Sequence, residues 1–141
     1  MPTDPASSFE MRGTVLCIED HPVNMHLVET MLSAYPQVKL LKALNGRDGV
    51  RLALAERPDL VLLDMRLPDI GGLEVVRALS ELISRHGLRV VLLTADSFSI
   101  DVIKAMSLGA HEYWPKPLSF DKVATDLPRL LHDARRARPD L

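Results

Sequence analysis

Apolar residues fall along the chain in two alternating textures. Some form short unbroken runs, and others recur at every third or fourth position over longer stretches. Val15-Leu16-Cys17-Ile18, Leu60-Val61-Leu62-Leu63 and Val90-Val91-Leu92-Leu93 are of the first kind. Continuous rather than alternating, they read as strands buried on both faces. Val38 to Leu44 and the aromatic Glu112-Tyr113-Trp114 complete a set of five strands. Between them lie the helical stretches. Val23, Leu27, Met31 and Ala34 follow Pro22, which sits at a first helical position, and Pro36 closes that helix. Asn45-Gly46 turns the chain into a helix from Arg47 to Arg57. Leu73, Val76, Leu79 and Ile83 set out a third helix stopped by Gly87, and a fourth runs from Ser97 to Leu108 before Gly109. Phe120, Val123, Leu127, Leu130 and Ala134 mark the last, in which Pro128 predicts a kink or early break.

Strict βα alternation implies parallel strands joined by right-handed crossovers, with helices on both faces. The predicted fold is therefore α/β, an open doubly wound sheet of five strands with five helices. A closed eight-unit barrel needs about 250 residues, against the 141 present here. One domain is expected over residues 13–136, with a flexible N-terminal arm at 1–12 and a short tail at 137–141. Read as a complete protein, that division leaves no room for a separate output domain.

Composition removes several function classes. With 17 basic against 19 acidic residues and a net charge of −2, the chain lacks the basic excess of a nucleic-acid-binding module. Arg129, Arg135, Arg136 and Arg138 are charges favourable at a helix C-terminus. Cys17 is the single cysteine, which excludes an internal disulfide and a multi-cysteine zinc site and fits a reducing compartment. The apolar runs fall far short of the ~20 residues of a membrane span, and the first residues lack a signal's apolar stretch. A cytoplasmic protein without membrane insertion is expected.

The polar residues at the strand ends carry the chemistry. Glu19 and Asp20 follow the first strand, Asp64 ends the third, Thr94 the fourth, and Lys116 follows the fifth. In a parallel sheet those ends share one edge, where open α/β folds place ligand sites. Three carboxylates brought together repel unless a cation joins them. Oxygen donors without His or Cys suit a hard divalent ion, Mg²⁺ (or Mn²⁺) above all. A lysine and a hydroxyl beside that ion could bind phosphoryl oxygens. Asn45-Gly46 and Gly71-Gly72 match neither phosphate-loop nor dinucleotide fingerprint. The phosphoryl group is thus expected on the protein, with Asp64 as acceptor. An isolated Asp at a strand end is ordinarily a turn or cap residue, and it is the convergence that points to function.

VLCIEDHPVN, PDLVLLDMRLPDIGGLEV, VVLLTAD and GAHEYWPKPL together resemble the receiver domain of bacterial two-component response regulators, from about Thr14 to Leu131. The resemblance implies a flavodoxin-like fold with strand order 2-1-3-4-5. It implies phosphorylation at Asp64 and Mg²⁺ held by Asp20, by Asp64, by the backbone carbonyl of Arg66 and, mostly through water, by Glu19. Thr94 and Lys116 would bind the phosphoryl group, and Tyr113 would be the aromatic switch, with Trp114 packed or at an interaction surface. The donor would be a histidine kinase or histidine phosphotransfer protein, docking near Asn24, Met25 and Leu118. Downstream proteins would read the face made by the fourth helix, fifth strand and fifth helix, with a homodimer as a further option. Arg66 and Asp96, each two residues beyond a site residue, are expected at the rim, pairing across the phosphoryl group and slowing hydrolysis. Such a protein is a regulator with intrinsic autophosphorylation and autodephosphorylation chemistry rather than an enzyme. The rivals are a receiver excised from a hybrid histidine kinase, a phosphorylation-independent scaffold, and an aspartyl-nucleophile hydrolase, for which no loop is long enough to form a cap.

Overall fold

In a computed structural model of the chain, residues 11–136 are described. The strands are β1 (Gly13–Ile18), β2 (Val38–Ala43), β3 (Leu60–Asp64), β4 (Arg89–Thr94) and β5 (Glu112–Pro115). They form one parallel sheet in the order β2-β1-β3-β4-β5, as expected. The helices are α1 (Pro22–Leu32), α2 (Gly46–Glu56), α3 (Gly72–Ala78), α4 (Ser80–His86), α5 (Ile100–Ser107) and α6 (Phe120–Arg136).

Strands β1 to β4 divide their side chains between two cores, while β5 contributes Trp114 to one of them. Val15, Cys17, Leu60, Leu62, Val91, Leu93 and Trp114 pack beneath α1 and α6. Leu16, Ile18, Val61, Leu63, Val90 and Leu92 pack beneath α2 to α5. That two-sided burial is why these runs are continuous in sequence rather than alternating. Met11, assigned to the arm, is buried with the first core; residues 1–10 and 137–141 lie outside the described residues.

Three helical expectations are corrected. Six helices stand among the described residues where five were expected, because the third divides at Leu79. Leu79 has φ −98° and ψ 7° and is fully buried, so the chain bends to keep that side chain in the core. The early break at Pro128 does not occur: α6 runs without interruption through it. Proline removes one backbone donor, but Leu127, Leu130, Leu131 and Ala134 are all buried against the sheet, and that apolar stripe holds the helix together. The fourth predicted helix also starts later, at Ile100, because Ser99 caps it by accepting the Val102 N–H at 3.2 Å.

The sheet register brings the strand ends level. Ile18 pairs with Leu63, Asp64 with Leu93, and Thr94 with Pro115. The ladder continues one step further, the Lys116 N–H donating to the Thr94 carbonyl at 2.8 Å. Glu19, Asp64, Thr94 and Lys116 therefore share one edge.

Candidate functional site

At that edge, ligand atoms of Glu19, Asp20 and Asp64 all lie within 4.8 Å of one another. Glu19 and Asp64 are almost wholly buried and Asp20 half-buried. The Lys116 ammonium donates to Asp64 Oδ1 at 3.0 Å and to Glu19 Oε1 at 3.4 Å. The Arg66 N–H also donates to Asp64 Oδ1, at 3.1 Å, and the His21 N–H to Glu19 Oε2, also at 3.1 Å.

The electrostatics follow from the crowding. Burial pushes the Glu19 carboxyl above its usual range; the His21 N–H pulls the other way, and the Asp64 charge adds to the rise. Burial disfavours the Lys116 ammonium, but its hydrogen bond to Asp64 and the charges of Asp64 and Glu19 outweigh that, and its pKa lies above the ordinary lysine value. One ammonium faces three carboxylates, so the cluster is short of positive charge.

Asp20 Oδ1 is buried without a hydrogen-bond partner. An orphaned carboxylate oxygen is costly unless a cation reaches it. That oxygen and the all-oxygen donor set fit a hard divalent ion such as Mg²⁺.

A cavity of about 300 Å³ opens over the cluster, with Asp64, Arg66, Thr94, Asp96, Asp101 and Lys116 in its lining. Thr94 Oγ1 donates to the Asp96 carbonyl at 3.1 Å and accepts the Asp96 N–H at 3.0 Å. Its hydroxyl is thus held by the following loop. Arg66 and Asp96 both reach the rim, but no ion pair joins them among the described residues. Asp96 instead accepts the Phe98 N–H at 3.0 Å. Asp101 at this cavity was not singled out from sequence, because an acid in a helix's first turn reads as a favourable end charge.

Tyr113 and Trp114 point to opposite faces of β5, Tyr113 being 42% exposed and Trp114 wholly buried. The Trp114 indole N–H donates to Glu112 Oε2 at 2.8 Å, and Arg129 of α6 bonds the same carboxylate, Oε1 at 3.1 Å. Trp114 is thus a core residue. Cys17 is likewise wholly buried, and burial drives its thiol pKa far up.

A second cavity, of about 250 Å³, lies between α1 and the segment after β5, with Asn24, Leu27, Val28, Pro117 and Leu118 in its wall. Asn24 and Leu118, two of the three expected docking residues, therefore sit together. Met25 does not join them: it is buried in the core beneath α1, because its position on the helix turns it toward the sheet.

Residues 15–127 match the family described as response regulator receiver domain. The nitrate/nitrite response regulator protein NarL of Escherichia coli strain K12 is 36% identical over 123 residues, covering 86% of this chain and 54% of that protein. Protein PilH of Pseudomonas aeruginosa is 33% identical over 117 residues, covering 83% of this chain and 96% of that one. The chain thus spans about half the length of some curated relatives and nearly all of others. Among solved structures, the receiver domain of sensor histidine kinase PA1611 from Pseudomonas aeruginosa, with a magnesium ion coordinated in its active site cleft, is 27% identical with a TM-score of 0.76, covering 86% of this chain and 99% of that one. No helix among the described residues is long and apolar enough to cross a membrane.

Proposed function

The chain belongs to the response regulator receiver domain family, and from that membership we propose that it accepts a phosphoryl group on Asp64 and signals through the resulting change in its surface. The observation that carries this reading is the Asp64 carboxylate at 3.0 Å from Lys116, buried beside two further acids within 4.8 Å at the mouth of a cavity. The donor is the phosphohistidine of a histidine kinase or histidine phosphotransfer protein in the cytoplasm. It docks over Asn24 and Leu118.

In the transfer, a carboxylate oxygen of Asp64 forms a bond to phosphorus as the donor's P–N bond breaks, and the donor ring, already protonated on its other nitrogen, leaves as neutral imidazole. Such transfers depend on positioning and on neutralising oxygen charge. Lys116, fixed between Asp64 and Glu19, supplies one positive charge from the protein. Asp20, Asp64, Glu19 and the Arg66 carbonyl would hold Mg²⁺, which when bound neutralises charge on the phosphoryl oxygens.

The product carries new acceptor oxygens at Asp64. Thr94 can donate to them only by giving up its bond to the Asp96 carbonyl, which couples the phosphoryl group to the loop before α5. Tyr113, on the neighbouring strand and partly exposed, then turns inward. The rearranged face of α5, β5 and α6 is what downstream proteins, or a second copy, read. This is a bias on a two-state equilibrium.

Incubation with acetyl phosphate tests the reading. A phosphoryl adduct is expected with Mg²⁺ and none with excess chelator, read by intact mass. Absence of an adduct from acetyl phosphate and from a phosphorylated kinase alike would leave the scaffold reading, and rapid turnover of varied phosphoesters a hydrolase.

Arg66 and Asp96 are the proposed rim. With a phosphoryl group between them they restrict the approach of water, so Arg66→Ala is expected to speed loss of the label, measured as decay of the adduct after the donor is removed. An unchanged rate would remove Arg66 from the rim's function.

A further inference from the structure

Asp69 lies in the loop between β3 and α3, three residues beyond Arg66, yet its carboxylate bonds another element. Oδ1 accepts the Gly46 N–H at 2.8 Å and Oδ2 the Arg47 N–H at 2.9 Å. Both donors belong to the first turn of α2, whose N–H groups have no partner within the helix. Next to it, Ile70 fills the space over Gly46: a Cβ there would come within 2.5 Å of Ile70 Cγ1. The loop is also closed on itself. The Gly72 N–H donates to the Met65 carbonyl at 3.2 Å, and a Cβ on Gly72 would sit 2.6 Å from Met65 Sδ. At its start, the Arg66 N–H is bound to Asp64.

The Arg66 carbonyl thus lies between two anchors, Asp64 before it and Asp69 after it. Only Leu67 and Pro68 separate Arg66 from Asp69. Proline fixes its own φ and restricts the residue before it, so this connection is stiff. A shift of Asp69 is passed to the Arg66 peptide rather than absorbed.

We propose that Asp69 is a positioning residue for the divalent-ion site, latching the β3–α3 loop onto α2 so that the Arg66 backbone carbonyl is held toward Asp20 and Asp64. This rests on the proposed function, in which that carbonyl is a ligand. A carboxylate makes a durable latch here. Burial weighs against its charge more than any one amide favours it, but the amides of Arg47, Gly46 and Ile70 together outweigh it and hold its pKa down at about 2. The latch is therefore fully charged throughout the neutral range. Outer contacts that orient a ligand are commonly worth tenfold or more in metal affinity, and an effect of about tenfold is expected here.

The test is Mg²⁺ affinity by titration calorimetry on the wild-type chain and on Asp69→Ala, Asp69→Asn and Asn45→Ala, with circular dichroism to confirm the fold. Asn45 caps the same helix by accepting the Asp48 N–H at 2.8 Å but makes no bond to the loop, so its variant separates helix stability from loop position. Expected are a loss of about tenfold in Asp69→Ala, partial recovery in Asp69→Asn, which keeps one acceptor oxygen, and wild-type affinity in Asn45→Ala. Wild-type affinity in Asp69→Ala, or an equal loss in Asn45→Ala, would overturn the latch while leaving the site reading intact. A wild-type chain that binds no Mg²⁺ would overturn both.

Discussion

Replacing Asp64 by Asn is expected to abolish the Mg²⁺-dependent phosphoryl adduct altogether while leaving a folded, more stable protein. The two side chains are nearly the same size, so the buried site keeps its packing. An amide is not a competent nucleophile toward phosphorus, and it cannot form the acyl phosphate. Charge explains the gain in stability. Glu19, Asp20 and Asp64 crowd within 4.8 Å around the single ammonium of Lys116, and removing one negative charge relieves like-charge repulsion. Intact mass after acetyl phosphate treatment and thermal unfolding without added metal read the two effects. An adduct of wild-type extent in Asp64→Asn would move the acceptor elsewhere, and a lower Tm would contradict the account of the cluster.

The second large effect concerns the core. Trp114→Ala is expected to cost about 3–5 kcal/mol, the usual range for truncating a buried aromatic. Trp114 is wholly buried beneath α1 and α6, among Leu127, Leu130 and Leu93. Its loss also takes away the indole donor to Glu112, the carboxylate that ties β5 to Arg129 of α6. Against a typical total stability of about 5–15 kcal/mol, that leaves little margin. Tyr113→Ala, one residue away but 42% exposed, is expected to change stability by about 0.5 kcal/mol or less. Urea unfolding of both variants gives the comparison, and equal costs would contradict the assignment of the two faces of β5.

The strands were legible because burial on both sheet faces leaves an unmistakable trace, unbroken runs such as Leu60 to Leu63. Once those runs were placed in parallel order, the meeting of Glu19, Asp20, Asp64, Thr94 and Lys116 followed from topology alone. What sequence did not carry was local and tertiary. Leu79 fits a helical repeat, so the bend that its burial imposes leaves no mark in the spacing. Pro128 reads as a breaker because its local cost is plain, whereas the leucine stripe that holds α6 together acts only through the sheet. Met25 and Asn24 are neighbours in sequence, and only the rotation of α1 about its axis puts one in the core and the other at the cavity. Hydrogen-bond partners were least legible of all. Thr94 holds the Asp96 backbone rather than Asp64, and Asp69 bonds a helix more than twenty residues earlier.

Those partners make the arrangement of the site specific: Lys116 occupied by Asp64 and Glu19, Thr94 by its loop, and Asp20 Oδ1 unpaired. Each would change its partner when a phosphoryl group and a divalent ion arrive. The acceptor itself can be identified chemically. An acyl phosphate on a carboxylate is reduced by borohydride, an aspartyl residue becoming homoserine, whereas phosphate esters of serine, threonine or tyrosine are not converted. Treating the wild-type chain with acetyl phosphate and Mg²⁺, reducing it, and mapping peptides by mass spectrometry should place homoserine at position 64. Homoserine at another position, or a phosphoryl group that survives reduction on a hydroxyl side chain, would contradict the account.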